Sequence, residues 1–135
     1  LIVGGGDGGA AEELLKHPSV REVVIAELDA QVVDVARREL QAVHRGALDD
    51  PRVTIEIGDG MAHADRSPGR YDLIFMDPPY HKGLASDLAP HVYNLLNTGG
   101  ILVVEHERGA EIPLMPWKHR HYGDTTISYF TRSER

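Results

Sequence analysis

Leu1-Ile2-Val3-Gly4-Gly5-Gly6-Asp7-Gly8-Gly9-Ala10 is the stretch that decides the fold. Three apolar residues run into five glycines within six positions, and a helical segment from about Ala10 to Lys16 follows. Gly4, Gly6 and Gly9 fit G-x-G-x-x-G between a strand and a helix, and Glu27 lies 21 positions beyond Gly6. Together these features predict a turn that binds a nucleotide or nucleoside. A turn that needs only positive φ accounts for one or two glycines and poorly for five.

Outward from this turn, strands and helices alternate. Pro18 and Ser19 end the first helix, and Val23-Val24-Ile25-Ala26 is a continuous apolar run, as expected of a strand covered on both faces. From Ala30 to about His44, Val32, Val33, Ala36, Leu40 and Val43 recur at helical spacing and predict one buried stripe. A turn-rich stretch, Gly46 to Pro51, separates that helix from Val53, Ile55 and Ile57, whose alternation with Thr54 and Glu56 suits a half-exposed edge strand. Leu73-Ile74-Phe75-Met76 predicts a second central strand that ends in Asp77-Pro78-Pro79-Tyr80. Leu84, Leu88, Val92, Leu95 and Leu96 then mark a helix, Asn97-Thr98-Gly99-Gly100 is read as its cap and turn, and Ile101 to Val104 as the next strand. Trp117 to Tyr122 and Thr125 to Thr131, around Gly123-Asp124, form a hairpin pattern. The prediction is an α/β, Rossmann-like class I methyltransferase fold, a mostly parallel sheet with an antiparallel C-terminal hairpin, in a single domain over residues 1–135.

The composition narrows the chemistry. With 135 residues, 41% of them hydrophobic, the chain has material for one core. It has no cysteine, so no thiol nucleophile, disulfide or cysteine-held zinc enters, which suits a reducing cytoplasm. No apolar run approaches the roughly 20 residues of a membrane span, so the expectation is a cytoplasmic chain with no membrane partner. The net charge is −7, with 8 basic against 13 acidic groups in residues 1–70 and 6 against 8 in residues 71–135. Such a balance repels polyphosphate, Lys118-His119-Arg120-His121 being the local exception. The eight histidines show no metal-ligand spacing, and no metal is assigned.

Ligands of open parallel sheets sit beyond the carboxyl ends of the strands, where this sequence concentrates its unusual residues. Asp7 inside the glycine turn would repel a pyrophosphate and welcome the ammonium of a methionine-like or aminopropyl chain. Glu27, with Asp29 close behind, is placed to accept hydrogen bonds from both ribose hydroxyls. Asp59, followed by Gly60, would accept from an adenine amine while Met61 packs on the ring. At Asp77-Pro78-Pro79-Tyr80 two prolines fix a rigid extended turn. The Asp77 carboxylate and Pro78 carbonyl would orient an exocyclic amine there, and Tyr80 would stack on a planar base. The cofactor set is thus Gly4, Gly6, Asp7, Gly9, Glu27, Asp29, Asp59, Gly60 and Met61, and the catalytic set Asp77, Pro78 and Tyr80.

Two families are legible in these motifs. Gly4 to Gly9, Lys16-His17-Pro18-Ser19-Val20, Glu27-Leu28-Asp29, Asp49-Asp50-Pro51-Arg52-Val53 and Gly58-Asp59-Gly60, all within residues 1 to about 70, resemble the spermidine synthases, the polyamine aminopropyltransferases. Residues 71–135, through Tyr71 to Tyr80, Val103-Val104-Glu105-His106 and Tyr122-Gly123-Asp124-Thr125, resemble the 16S ribosomal RNA guanine-N2 methyltransferases, which suggests a hybrid joined near residue 70. The first resemblance implies decarboxylated S-adenosylmethionine as donor and puts its ammonium at Asp7. The second implies S-adenosylmethionine and structured RNA bound through the C-terminal half.

Spermidine synthases carry Ser or Thr and a second Asp where this chain has Pro78-Pro79-Tyr80, which leaves a diamine without its second acid. The leading expectation is therefore methyl transfer to an exocyclic amine of a nucleobase in RNA. The alternatives are aminopropyl transfer with Asp77 as base, and a folded scaffold, engineered or partial and lacking an N-terminal segment, that has no activity. A homo-oligomer is compatible with all three.

Overall fold

The computed structural model describes residues 1–59, 62, 69–80 and 82–134. The chain divides into two compact units, Leu1–Gly60 and Met61–Arg135.

The first unit is built on three parallel strands, β1 (Ile2–Val3), β2 (Val23–Glu27) and β3 (Val53–Ile57). Ile2 pairs with Ile25, and Val23 through Glu27 pair in step with Val53 through Ile57, so β2 lies between the other two. Val23 to Ala26 are all buried, as their unbroken apolar run requires. On β3, Val53 and Ile55 are half-buried and Ile57 is 51% exposed, which fits the edge expected there. Helix α1 (Gly9–Leu15) follows the glycine turn, and α2 (Ala30–Glu39) follows β2.

The predicted single helix to His44 is broken. Leu40, at φ −112° and ψ 32°, separates α2 from a one-turn α3 (Gln41–His44). The break lets the His44 side chain fold back: its Nε2 lies 3.0 Å from the Ala36 carbonyl, and its Nδ1 accepts from Gly46 N at 3.0 Å. The predicted stripe splits accordingly. Val33 and Ala36 are buried, whereas Val32, Leu40 and Val43 stay at least 36% exposed, and His44, Ala47 and Leu48 beyond the break are buried.

The second unit orders β4 (Tyr71–Met76), α4 (Leu84–Tyr93), β5 (Leu96–Glu107), β6 (Lys118–Tyr122) and β7 (Thr125–Thr131). β4 and β5 are parallel, β7 is antiparallel to β5, and β6 is antiparallel to β7. Asn97 to Gly100 does not cap the helix. Tyr71 pairs with Leu96 and Leu73 with Ile101, so these residues form a bulge early in β5. Backbone bonds from Gly99 N to the Arg132 carbonyl and from Arg132 N to the Gly100 carbonyl hold the bulge in place. Leu95 and Leu96, read as the end of the helix, are fully buried in the turn and at the strand's start.

The parallel ladders β1–β2, β2–β3 and β4–β5, with the antiparallel C-terminal hairpin, make this the Rossmann-like α/β class predicted. No helix among the described residues is long and apolar enough to cross a membrane.

Candidate nucleoside and acceptor sites

In the first unit the glycine turn is fastened to the strand that follows it. Gly6 N donates to Glu27 Oε2 at 2.9 Å, and Asp29 N donates to Glu27 Oε1 at 3.2 Å. Each carboxylate oxygen has one backbone donor and one acceptor site left, so Glu27 is held in orientation and can still receive a pair of hydroxyls. The fit explains Gly6. A Cβ there would stand 2.7 Å from Glu27 Oε2 and 2.9 Å from its Cγ, so any side chain would displace the carboxylate. Gly8 meets both requirements at once: its φ is +80°, and a Cβ would lie 2.6 Å from His44 Cβ. The turn is thus locked against α3 from below and against Glu27 at its mouth.

The other predicted donor-site residues have mixed roles. Asp7 is exposed, and one carboxylate oxygen accepts from Gly9 N at 2.9 Å, which closes the turn at the start of α1. Asp29 is the N-cap of α2, with Oδ1 accepting from Gln31 N at 2.8 Å. Sequence reading missed this cap, although an Asp before a helical run is its ordinary signal. Gly4 N donates to the Ala26 carbonyl and Gly58 N to the Glu27 carbonyl, so the ends of β1 and β3 are both tied to β2. Asp59 follows this tie and is exposed. The expected adenine contacts at Gly60 and Met61 fall outside the described residues.

In the second unit Asp77 is exposed at the end of β4, Pro78 is buried and Pro79 exposed. Tyr80 is anchored at its hydroxyl. Its hydroxyl donates to Glu105 Oε1 at 3.3 Å and lies 2.7 Å from Thr125 Oγ1, so β5 and β7 hold it. Glu105 is a site candidate that sequence reading left without a role. Its signal was an acid closing the otherwise apolar run Ile101 to Val104, where parallel strands present functional groups. His119 and His121 stand side by side on exposed β6, with ring centroids 5.2 Å apart. Among the described residues no three side chains gather as metal ligands.

The spermine/spermidine synthase domain family matches residues 1–112. The chain belongs to that family. The match runs through Asp77 and Glu105, well past the resemblance read in residues 1–70, and leaves only the end of the chain outside it. A polyamine aminopropyltransferase of Thermoanaerobacter sp. (strain X514) is 44% identical over 112 residues, covering 79% of this chain and 40% of the relative. The crystal structure of spermidine synthase from Thermotoga maritima superposes with a TM-score of 0.81 at 25% identity, over 98% of this chain and 53% of that one. A protein of Escherichia coli named as a methyltransferase superposes with a TM-score of 0.77 at 16% identity, covering 99% of this chain and 75% of that one, and so shares the fold. The chain spans about 40% of the length of the curated polyamine aminopropyltransferase and about half of the solved spermidine synthase.

Proposed function

We propose that the chain carries out aminopropyl transfer, from decarboxylated S-adenosylmethionine to the amine of a small polyamine acceptor. The observation that carries this reading is the spermine/spermidine synthase match, which is continuous from the glycine turn through Asp77 and Glu105. It replaces methyl transfer as the leading reading, because the residues expected to break the synthase pattern lie inside the matched span.

The first unit suits a sulfonium nucleoside of either kind, S-adenosylmethionine or its decarboxylated form. Glu27, fixed by two backbone donors, would take the ribose hydroxyls, and Asp59 would accept from the adenine amine. Asp7 would hold the ammonium. S-adenosylmethionine adds a carboxylate at that end, and two like charges about 4 Å apart cost on the order of 1 to 4 kcal/mol, which favours the decarboxylated donor. When bound, the donor supplies a sulfonium-activated carbon. Asp77 would take a proton from the acceptor's ammonium, leaving a neutral amine whose lone pair can attack, and the protein's contribution is positioning and proton transfer. Glu105, beside Tyr80, would supply negative charge that Pro78 and Pro79 do not.

One observation favours a second reading. The rigid turn Asp77 to Tyr80, with its tyrosine ring held at the hydroxyl, also suits a planar base, and hence methyl transfer to an exocyclic amine of RNA through the second unit. Purified protein with each labelled donor, offered putrescine or ribosomal RNA, separates the two. Product from the decarboxylated donor and putrescine alone is expected; labelled RNA formed only with S-adenosylmethionine would overturn the proposal. Cytoplasmic location and self-association are part of the same proposal, the latter measured by sedimentation.

A further inference from the structure

The second unit contains a cavity of about 190 Å³ whose lining includes none of Asp77, Tyr80 and Glu105. Ile112, Leu114, Pro116 and Phe130 form its apolar wall, and His119, His121 and Thr126 line its polar side. In the same lining are His106 and Ser128, 6% and 5% exposed. On β5 and β7, His106 pairs with Thr126 and Val104 with Ser128, which sets the imidazole and the hydroxyl on one face as diagonal neighbours.

Their hydrogen bonds define a direction. His106 Nδ1 lies 3.0 Å from the Glu107 carbonyl, which can only accept, so Nδ1 carries the proton. In the neutral ring Nε2 is then left as an acceptor. Ser128 Oγ lies 2.8 Å from it and donates. A hydroxyl bonded to an imidazole nitrogen whose ring is oriented by a third group is the arrangement of an activated nucleophile. A buried serine in a closed core could do nothing with it; this one lines a cavity with an apolar wall large enough for a short acyl chain. Among the cavity's lining residues no carboxylate opposes negative charge, and imidazole and hydroxyl donors line its polar side.

We infer that Ser128 is a nucleophile, with His106 as its base, for small carboxylic esters. In the first step Ser128 Oγ bonds to the ester carbonyl carbon and its proton passes to His106 Nε2. The tetrahedral adduct collapses, the bond to the alkoxy oxygen breaks, and His106 returns the proton to the departing alcohol. Water, deprotonated by His106, then releases the acid and restores Ser128. This activity is separate from aminopropyl transfer and needs neither Asp77 nor Glu27.

The test uses the full chain with p-nitrophenyl acetate, following nitrophenol release and mapping the acetyl group by peptide mass spectrometry. Acetylation of Ser128 is expected, lost in Ser128→Ala and slowed about 100-fold in His106→Gln, with circular dichroism confirming that both variants fold. Absence of acetylation, or acetyl found on Lys118, His119 or His121 in place of Ser128, would overturn the inference, as would an unchanged rate in His106→Gln. Because the label is mapped on the unmodified protein, the result stands even if a variant fails to fold.

Discussion

A methyl group added at Gly6 falls 2.7 Å from Glu27 Oε2, so Gly6→Ala acts on a residue 21 positions away. The carboxylate must swing out and surrender the bond from Gly6 N. Methylthioadenosine binding, measured by calorimetry, should weaken about 10- to 100-fold in Gly6→Ala, the equivalent of one charged hydrogen bond. Glu27→Ala should fall in the same range, and the double variant should lose little more than either single one, since both remove the same oriented carboxylate. Additive losses would separate the two residues. Spacing alone marked Glu27 as a candidate. Its two backbone donors were not legible, because only the closed turn brings Gly6 N and Asp29 N to the two sides of one side chain.

Along the elements, the alternation of strand and helix was readable because burial on both faces writes itself as Val23 to Ala26 and as Leu73 to Met76. What the sequence concealed were interruptions whose causes are tertiary. Leu40 breaks a helix that local periodicity would continue, because His44 is needed underneath the glycine turn. Gly8→Ala tests that packing: with a left-handed φ and a Cβ 2.6 Å from His44 Cβ, it should cost about 2 to 4 kcal/mol in urea unfolding. Asn97 to Gly100 carries the residues of a helix cap and becomes a bulge, because Leu95 and Leu96 are drawn into the core.

The turn before β3 gives a pH-dependent case at the same scale. Arg52 donates from its backbone N and Nε to Asp50 Oδ1 and from Nη2 to Oδ2, and these bonds, the side-chain ones foremost, hold the Asp50 carboxyl below its ordinary range. A carboxyl whose folded value is lowered stabilises the protein fully above its unfolded value, and the contribution disappears as pH falls through the folded one. Asp50→Asn should therefore lower the urea midpoint near neutral pH and lower it by less at a second, acidic pH, because the contribution is lost as pH falls through the lowered folded value. An equal loss at both pH values would assign the effect to packing.

Over the whole molecule, charge bears on the two acceptors that the motifs left open. The two resemblances pointed to opposite partners, a dication and a polyanion, and a chain at −7 attracts the first and repels the second. Sequence made this readable as a sum but could not place it, because the acids proposed for the site are scattered: Asp7 in the glycine turn, Asp77 after β4 and Glu105 on β5. If the acidic field helps deliver a polyamine, kcat/KM for putrescine should fall about threefold or more as salt rises from about 0.05 to 0.5 M, where the screening length drops below about 5 Å. A monoamine of similar length should fall less, since it carries one charge to be screened. Equal salt dependence for both acceptors would mean that the field plays no part in delivery and that recognition rests on contacts at Asp77 and Glu105 alone.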